Sequence, residues 1–296
     1  MSPFTAPTPI DELNMKLCRY GPKGSEKPGL VDATGRLRDL SGVIDDLTVD
    51  AISTLAALDP DTLPLLEGTP RYGVPVAGIG KFLAIGLNYA DHAREAGLEP
   101  PPEPIFFTKA ISCLNGPNDD VMIPDGSRKT DWEVELGVVI GKTCRYVPEA
   151  EALSHVAGFV LVNDVSERAF QKELGSQWDK GKGCDTFGPV GPWLVTPDEI
   201  ADCQALDMFL DINGKRMQTG NTGTMIFPVA ECIAYVSRFI TLHPGDLLIT
   251  GTPPGVGEGQ KPDQIFLQPG DEMRLGITGL GEQRQRVVAF DLAALA

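Results

Sequence analysis

Asp131-Trp132-Glu133-Val134-Glu135-Leu136-Gly137-Val138-Val139-Ile140 is the stretch that decides how this chain folds and what it can hold. Successive side chains on a β-strand point to opposite faces, so Glu133 and Glu135 share one face. Trp132, Val134, Leu136, Val138 and Ile140 share the other. Gly137 and Val139 continue the glutamate face as apolar positions, which implies that this face is at least partly covered. Two anions side by side on a covered face repel and are costly to leave unpaired. Further on, Gly158-Phe159-Val160-Leu161-Val162-Asn163-Asp164 gives a second apolar strand that ends in a third carboxylate. Three carboxylates with no histidine or cysteine beside them suit a hard, oxygen-preferring divalent ion, Mg²⁺ or Mn²⁺ rather than Zn²⁺. The alternative for the Glu-x-Glu pair alone is the solvated face of an amphipathic strand.

With 296 residues the chain is long enough to bury a full core, as one large domain or one large and one small. A formal net charge of −16 argues against nucleic acid as a partner, because phosphate binding needs a basic patch. No apolar run approaches the length of a membrane span. Residues 1–14 carry proline and acid without an apolar core, so they read as a flexible extension and not as an export signal. Cys18, Cys113, Cys144, Cys184, Cys203 and Cys232 are dispersed, with no C-x-x-C pair, and read as reduced thiols. A cytoplasmic location is the corresponding expectation.

Met15 to Tyr20 reads as the first strand, and Leu30 to Leu40 as a hairpin around Ala33-Thr34-Gly35. Short helical patterning over 41–66 is followed by a Pro/Gly-rich linker from Gly68 to Gly80. This predicts a small N-terminal α+β domain over 15–75 and a main domain over 76–296. Further strands are predicted at 82–86, 105–109, 132–140, 158–164, 192–196, 206–212, 245–250, 271–277 and 285–291. Asn213-Gly214 is a type I′ hairpin signal, and Pro228 opens an amphipathic helix through Val229, Ile233, Val236 and Ile240. Strands outnumber helices and do not alternate with them, so the fold class is α+β with a β-rich core and not a doubly wound parallel sheet.

Arg168 and Gln171 lie three apart after Asp164 and would share a face of one helical turn, placed to hold an anionic substrate against the ion; an exposed, solvated turn is the alternative. Lys182, between Gly181 and Gly183, could reach the carboxylates and neutralise a developing enolate. A phosphate-binding loop is excluded there, since Gly183 stands where Ser or Thr is needed. His92 and Glu95 are three apart, so on a helix Glu95 could orient the imidazole as a general base for water; a surface histidine is the alternative. Gly251 and Thr252, in Thr250-Gly251-Thr252-Pro253 after an apolar strand, form a loop whose amides could approach a carboxylate, or simply a turn.

Taken together, in this order, these segments resemble the fumarylacetoacetate hydrolase family over about 82–290, in its acylpyruvase-like branch. The resemblance implies a mixed β-roll-like sandwich with a small N-terminal domain, usually as a homodimer. It implies Glu133, Glu135 and Asp164 as metal ligands, Lys182 as enolate stabiliser, and His92 with Glu95 as a water-activating pair on a mobile lid. Arg168 and Thr252 would contact substrate, and Lys109 sits where the family has a site-lining lysine. The activity implied is metal-dependent hydrolysis of the C3–C4 bond of a small anionic 2,4-dioxo acid, releasing pyruvate and a second acid. A 2,4-diketo-3-deoxy sugar acid of the L-rhamnonate or L-fuconate type fits best, which places the chain in sugar acid catabolism. The same site chemistry leaves oxaloacetate decarboxylation, hydroxymuconate-type isomerisation and ureidoglycolate cleavage open, as well as a noncatalytic ion-binding domain.

Overall fold

The computed structural model describes residues 15–95, 97, 99–175 and 177–295, leaving aside the side chains of residues 57, 92, 93 and 295. The extension expected over 1–14 lies outside the described residues. Two sheets carry the chain. The larger has nine strands in the spatial order Leu37–Asp39, Lys27–Val31, Lys16–Tyr20, Leu194–Val195, Val156–Asn163, Val134–Ile140, Leu247–Ile249, Phe82–Gly86 and Ile105–Lys109. All neighbours are antiparallel except Leu247–Ile249 and Phe82–Gly86, which are parallel. The second sheet has five strands in the order Lys215–Asn221, Asp207–Ile212, Glu272–Ile277, Gly281–Val288 and Val121–Met122. Few helices accompany them, the longest described being Val229–Ser237, which starts after Pro228 and buries Val229, Cys232, Ile233 and Val236. No helix of the described residues is long and apolar enough to cross a membrane.

Every residue of Val134–Ile140 and of Val156–Asn163 is buried. Val134–Ile140 is flanked in its sheet by Val156–Asn163 and Leu247–Ile249, and Asp207–Ile212 and Glu272–Ile277 of the second sheet also contact it. The covered glutamate face therefore holds, and the solvated-strand alternative does not: Glu133 is 5% and Glu135 2% exposed. The predicted continuous strand over 132–140 is interrupted. Thr130–Asp131 pairs with Ser166–Glu167, and the long strand begins only at Val134. Side chains explain the break. Trp132 N donates to its neighbour's Asp131 Oδ1 (2.8 Å) and Glu133 N to Asn163 Oδ1 (3.2 Å), so neither amide is left for a ladder.

The 15–75 segment, read as a small domain, joins the large sheet directly. Lys16–Tyr20 pairs with Leu194–Val195, and Leu17, Leu30, Ile52 and Leu55 belong to the same apolar cluster as Val138 and Leu161. Arg71 fastens the following linker through Asp119 (2.6 Å) and Glu26 (2.8 Å). The helical patterning over 41–66 yields one α-turn, Val49–Ile52, capped by Thr48, then the 3-10 segments Ser53–Ala57 and Pro60–Thr62. At the predicted hairpin, Asn213 and Gly214 have φ of 51° and 77°, the positive values a type I′ turn requires.

Candidate functional site

Register brings the carboxylates together. Val162 lies opposite Glu135 and Asn163 opposite Val134, so Asp164 emerges one residue past the ladder, beside Glu133, whose carbonyl accepts its N–H at 2.8 Å. Leu247–Ile249 flanks the other side of the glutamate strand and delivers Gly251, whose N–H donates to Glu135 Oε2 at 2.7 Å. Gly251 adopts φ +94°, a conformation glycine reaches without strain. One oxygen each from Glu133, Glu135 and Asp164 lie within 4.8 Å of one another, and all three residues are buried.

Three buried cations surround them. Lys182 Nζ bridges Glu133 Oε2 (2.6 Å) and Asp164 Oδ2 (2.5 Å). Arg168 donates Nη2–H to Glu133 Oε1 (2.6 Å), Nη1–H to Gln171 Oε1 (3.2 Å) and Nε–H to Asp131 Oδ2 (2.8 Å). Lys109 lies behind Asp164 and not on the cleft wall where it was anticipated. Its side chain is fully buried, and Nζ donates to Asp164 Oδ1 (2.6 Å) and to the carbonyls of Val165 and Lys182. It therefore orients Asp164 and shapes the site without presenting a surface to a ligand.

Burial, then the neighbouring Asp164 and Glu133 charges, pushes the Glu135 carboxyl well above its usual range. Burial works against the Lys182 ammonium, yet Asp164 and Glu133 outweigh it and hold its proton more firmly than usual. Arg168 follows the same logic, with Glu133 and Asp131 overcoming burial. A buried, hard-oxygen triad in which Glu135 has a single amide donor among the described residues is a donor set that fits a divalent cation.

The triad opens into a cleft of about 370 Å³. Of the residues singled out in the sequence, Glu95, Glu133, Glu135, Asp164, Arg168, Gln171, Lys182, Gly251 and Thr252 all line it. Thr252 is fixed by donating to Val134 O (2.9 Å) and accepting from Gln218 Nε2 (2.8 Å). Glu95 accepts from Gly255 N through both oxygens, at 3.0 and 3.1 Å. His92 falls within the helix Ala90–Glu95, but its side chain lies outside the described residues. Sequence reasoning missed the apolar wall. Phe107 and Trp178 meet edge-on at 5.2 Å between ring centres, and Trp178 covers Gly86 so closely that a Cβ there would fall 2.6 Å from the indole. Asp131, which meets Arg168 behind the triad, was missed as well.

The profile described as fumarylacetoacetate (FAA) hydrolase C-terminal matches residues 81–288. A relative named 2,4-didehydro-3-deoxy-L-rhamnonate hydrolase, from Sphingomonas sp. (strain SKA58), is 66% identical over 273 residues, covering 92% of this chain and 96% of its own. Among solved structures, the fumarylacetoacetate hydrolase of psychrophilic Exiguobacterium antarcticum superposes with TM-score 0.84 at 35% identity, over 93% of this chain and 100% of that one. The maleylpyruvate hydrolase of Sphingobium sp. SYK-6 does so with TM-score 0.77 at 31% identity, over 93% and 100%. From its sequence, its sheet architecture and its carboxylate-lined cleft, the chain belongs to the fumarylacetoacetate hydrolase family.

Proposed function

We propose that this protein hydrolyses the C3–C4 bond of a 2,4-dioxo acid, giving pyruvate and a second acid, with Mg²⁺ or Mn²⁺ held by Glu133, Glu135 and Asp164. The observation that carries this reading is the buried triad facing an open cleft with a lysine ammonium between two of its members. A bound divalent ion supplies Lewis acidity toward the carboxylate and 2-oxo group of such a substrate.

The chain's own residues account for the rest. When every group is ionised, the buried ion-paired cluster around the triad sets four carboxylates (Asp131, Glu133, Glu135, Asp164) against three cations (Lys109, Arg168, Lys182). A divalent ion turns that balance from one negative to one positive, which suits a monoanionic 2-oxo acid. In this reading Arg168, Gln171 and Thr252, which line the cleft, orient the substrate. His92, with Glu95, takes a proton from water, and the hydroxide adds to the C4 carbonyl. The C3–C4 bond then breaks, its electron pair passes into the pyruvate enolate, and the Lys182 ammonium stabilises the enolate oxygen. Protonation at C3 completes pyruvate, and the C4 fragment leaves as the second acid. The substrate proposed is 2,4-diketo-3-deoxy-L-rhamnonate, supported by the 66% identical relative named for that acid. A homodimer is part of the same reading and is checked by light scattering.

The deciding experiment is turnover of a panel of 2,4-diketo acids and oxaloacetate by one preparation, with and without chelator, for the wild type and His92→Ala. Hydrolysis should require the ion and collapse in His92→Ala, whereas any oxaloacetate decarboxylation, which needs no attacking water, should persist in part. A rise in melting temperature with Mn²⁺ and no turnover of any diketo acid would instead favour a structural ion site.

A further inference from the structure

Asp131 is fully buried, does not line the cleft and is not one of the three clustered carboxylates, yet both its oxygens are saturated. Oδ1 accepts from Trp132 N (2.8 Å) and Gly257 N (2.6 Å), and Oδ2 from Arg168 Nε (2.8 Å) and Glu258 N (3.0 Å). Two consequences follow. The first concerns the guanidinium. Its Nε and Nη2 form one edge, which favours two parallel bonds to a single carboxylate. Here that edge is divided, Nε–H going to Asp131 and Nη2–H to Glu133 Oε1 (2.6 Å), while Glu133 Oε2 faces Lys182. Without the Asp131 charge the edge could close on Glu133 alone and engage both of its oxygens. The second concerns the cleft. The segment 255–259 contributes Val256, Glu258 and Gly259 to its wall, and Asp131 holds that segment by two backbone amides. Only glycine fits at 257, because a Cβ would meet Ile265 O at 1.9 Å and Asp131 Oδ1 at 2.8 Å.

We infer that Asp131 is a positioning residue for the metal-dependent reaction: it holds Arg168 so that Glu133 remains available as a ligand, and it fixes the Gly257–Glu258 wall of the cleft. This rests on the reading under Proposed function. The test compares the full-length wild type, Asp131→Asn and Asp131→Glu. Mn²⁺ binding without substrate is followed by the electron paramagnetic resonance signal of free Mn²⁺, alongside circular dichroism melts and steady-state kinetics. For folded Asp131→Asn, Mn²⁺ affinity should weaken by about tenfold or more, the usual scale for loss of a group that supports a metal ligand. At saturating Mn²⁺ its KM should remain raised, because the wall is released. Asp131→Glu keeps the charge and should recover part of the affinity but not the KM. Folded Asp131→Asn with wild-type Mn²⁺ affinity and KM overturns the proposal. If that variant does not fold, Asp131→Glu is judged by the same two quantities, and if neither folds Asp131 serves the fold and the proposal falls. Wild type that binds no Mn²⁺ refutes the metal reading itself. Wild type that binds Mn²⁺ but turns over no diketo acid refutes only the substrate reading, and the affinity comparison still decides Asp131.

Discussion

Replacing Lys182 by methionine should separate two jobs that one ammonium performs. Nζ lies 2.6 Å from Glu133 Oε2 and 2.5 Å from Asp164 Oδ2, with the side chain 3% exposed. Methionine keeps most of the length and the apolar stem but removes the charge and the donors. The site is then left with four buried carboxylates against two cations, Lys109 and Arg168. Removing one partner of a buried ion pair costs about 3–5 kcal/mol, because the other charge stays buried without compensation. At about 2 °C per kcal/mol for a chain of this size, the metal-free melting temperature should fall by roughly 6–10 °C. Glu135, whose carboxyl burial already pushes up, can take a proton and moderate that loss, so the smaller drop belongs to the lower pH. Saturating Mn²⁺ should recover most of the stability, since the ion brings the missing positive charge. It should not recover catalysis, because losing one donor to a developing oxyanion lowers kcat by about 10²–10³. Thermal melts with and without Mn²⁺, together with pyruvate release coupled to lactate dehydrogenase, read both effects. Near-wild-type turnover of Lys182→Met at saturating Mn²⁺ would refute the enolate role, and an unchanged metal-free melting temperature would refute the charge argument.

Gly251→Ala places a Cβ 2.8 Å from Asn88 Cβ at φ +94°, so it should lose about 1–3 kcal/mol of stability and weaken Mn²⁺ binding through Glu135; melts and metal titration that match wild type would contradict this. Trp178→Ala removes an apolar wall worth about 1.5–3 kcal/mol, so KM should rise by roughly one to two orders of magnitude with a smaller change in kcat. A fall in kcat at constant KM would place Trp178 in the chemistry instead. The raised Glu135 carboxyl also fixes the sign of a pH effect. Between its raised value and the ordinary 4.5, the folded metal-free protein holds a proton that the unfolded chain releases, so this group adds stability as pH falls through that window. Melts in chelator at stepped pH should show that component in wild type and not in Glu135→Gln. Equal slopes in the two proteins would count against it.

The triad was legible because strand parity is a local property: Glu133 and Glu135 must share a face, and the apolar neighbours declare that face covered. The convergence of Asp164 on them needed the register between two strands, which the sequence suggested only through the apolar run ending at Asp164. The break at Trp132–Glu133 was invisible, because it depends on Asn163 and Asp131 capturing two amides from the side. Lys215–Asn221 was not predicted as a strand: of its seven residues only Gln218 is buried, so the apolar alternation that marks a half-buried strand is missing. Its partner across the Asn213-Gly214 turn was the only clue. The cleft walls escaped for a different reason. Phe107, Trp178 and Glu258 come from three distant segments, and nothing in their local patterns reports that they face one another. Lys109 shows the converse limit, since the family pattern located it near the site but only the packing around Asp164 shows that it faces a carboxylate and two carbonyls instead of the cleft.

The most direct measurement is an anomalous-scattering map from crystals grown with Mn²⁺. A single peak per chain, about 2.1 Å from oxygens of Glu133, Glu135 and Asp164, with Lys182 turned toward the cleft, is the expected result. No peak there at saturating Mn²⁺, with Lys182 still paired to Glu133 and Asp164, would contradict the assignment of these three carboxylates as a metal centre.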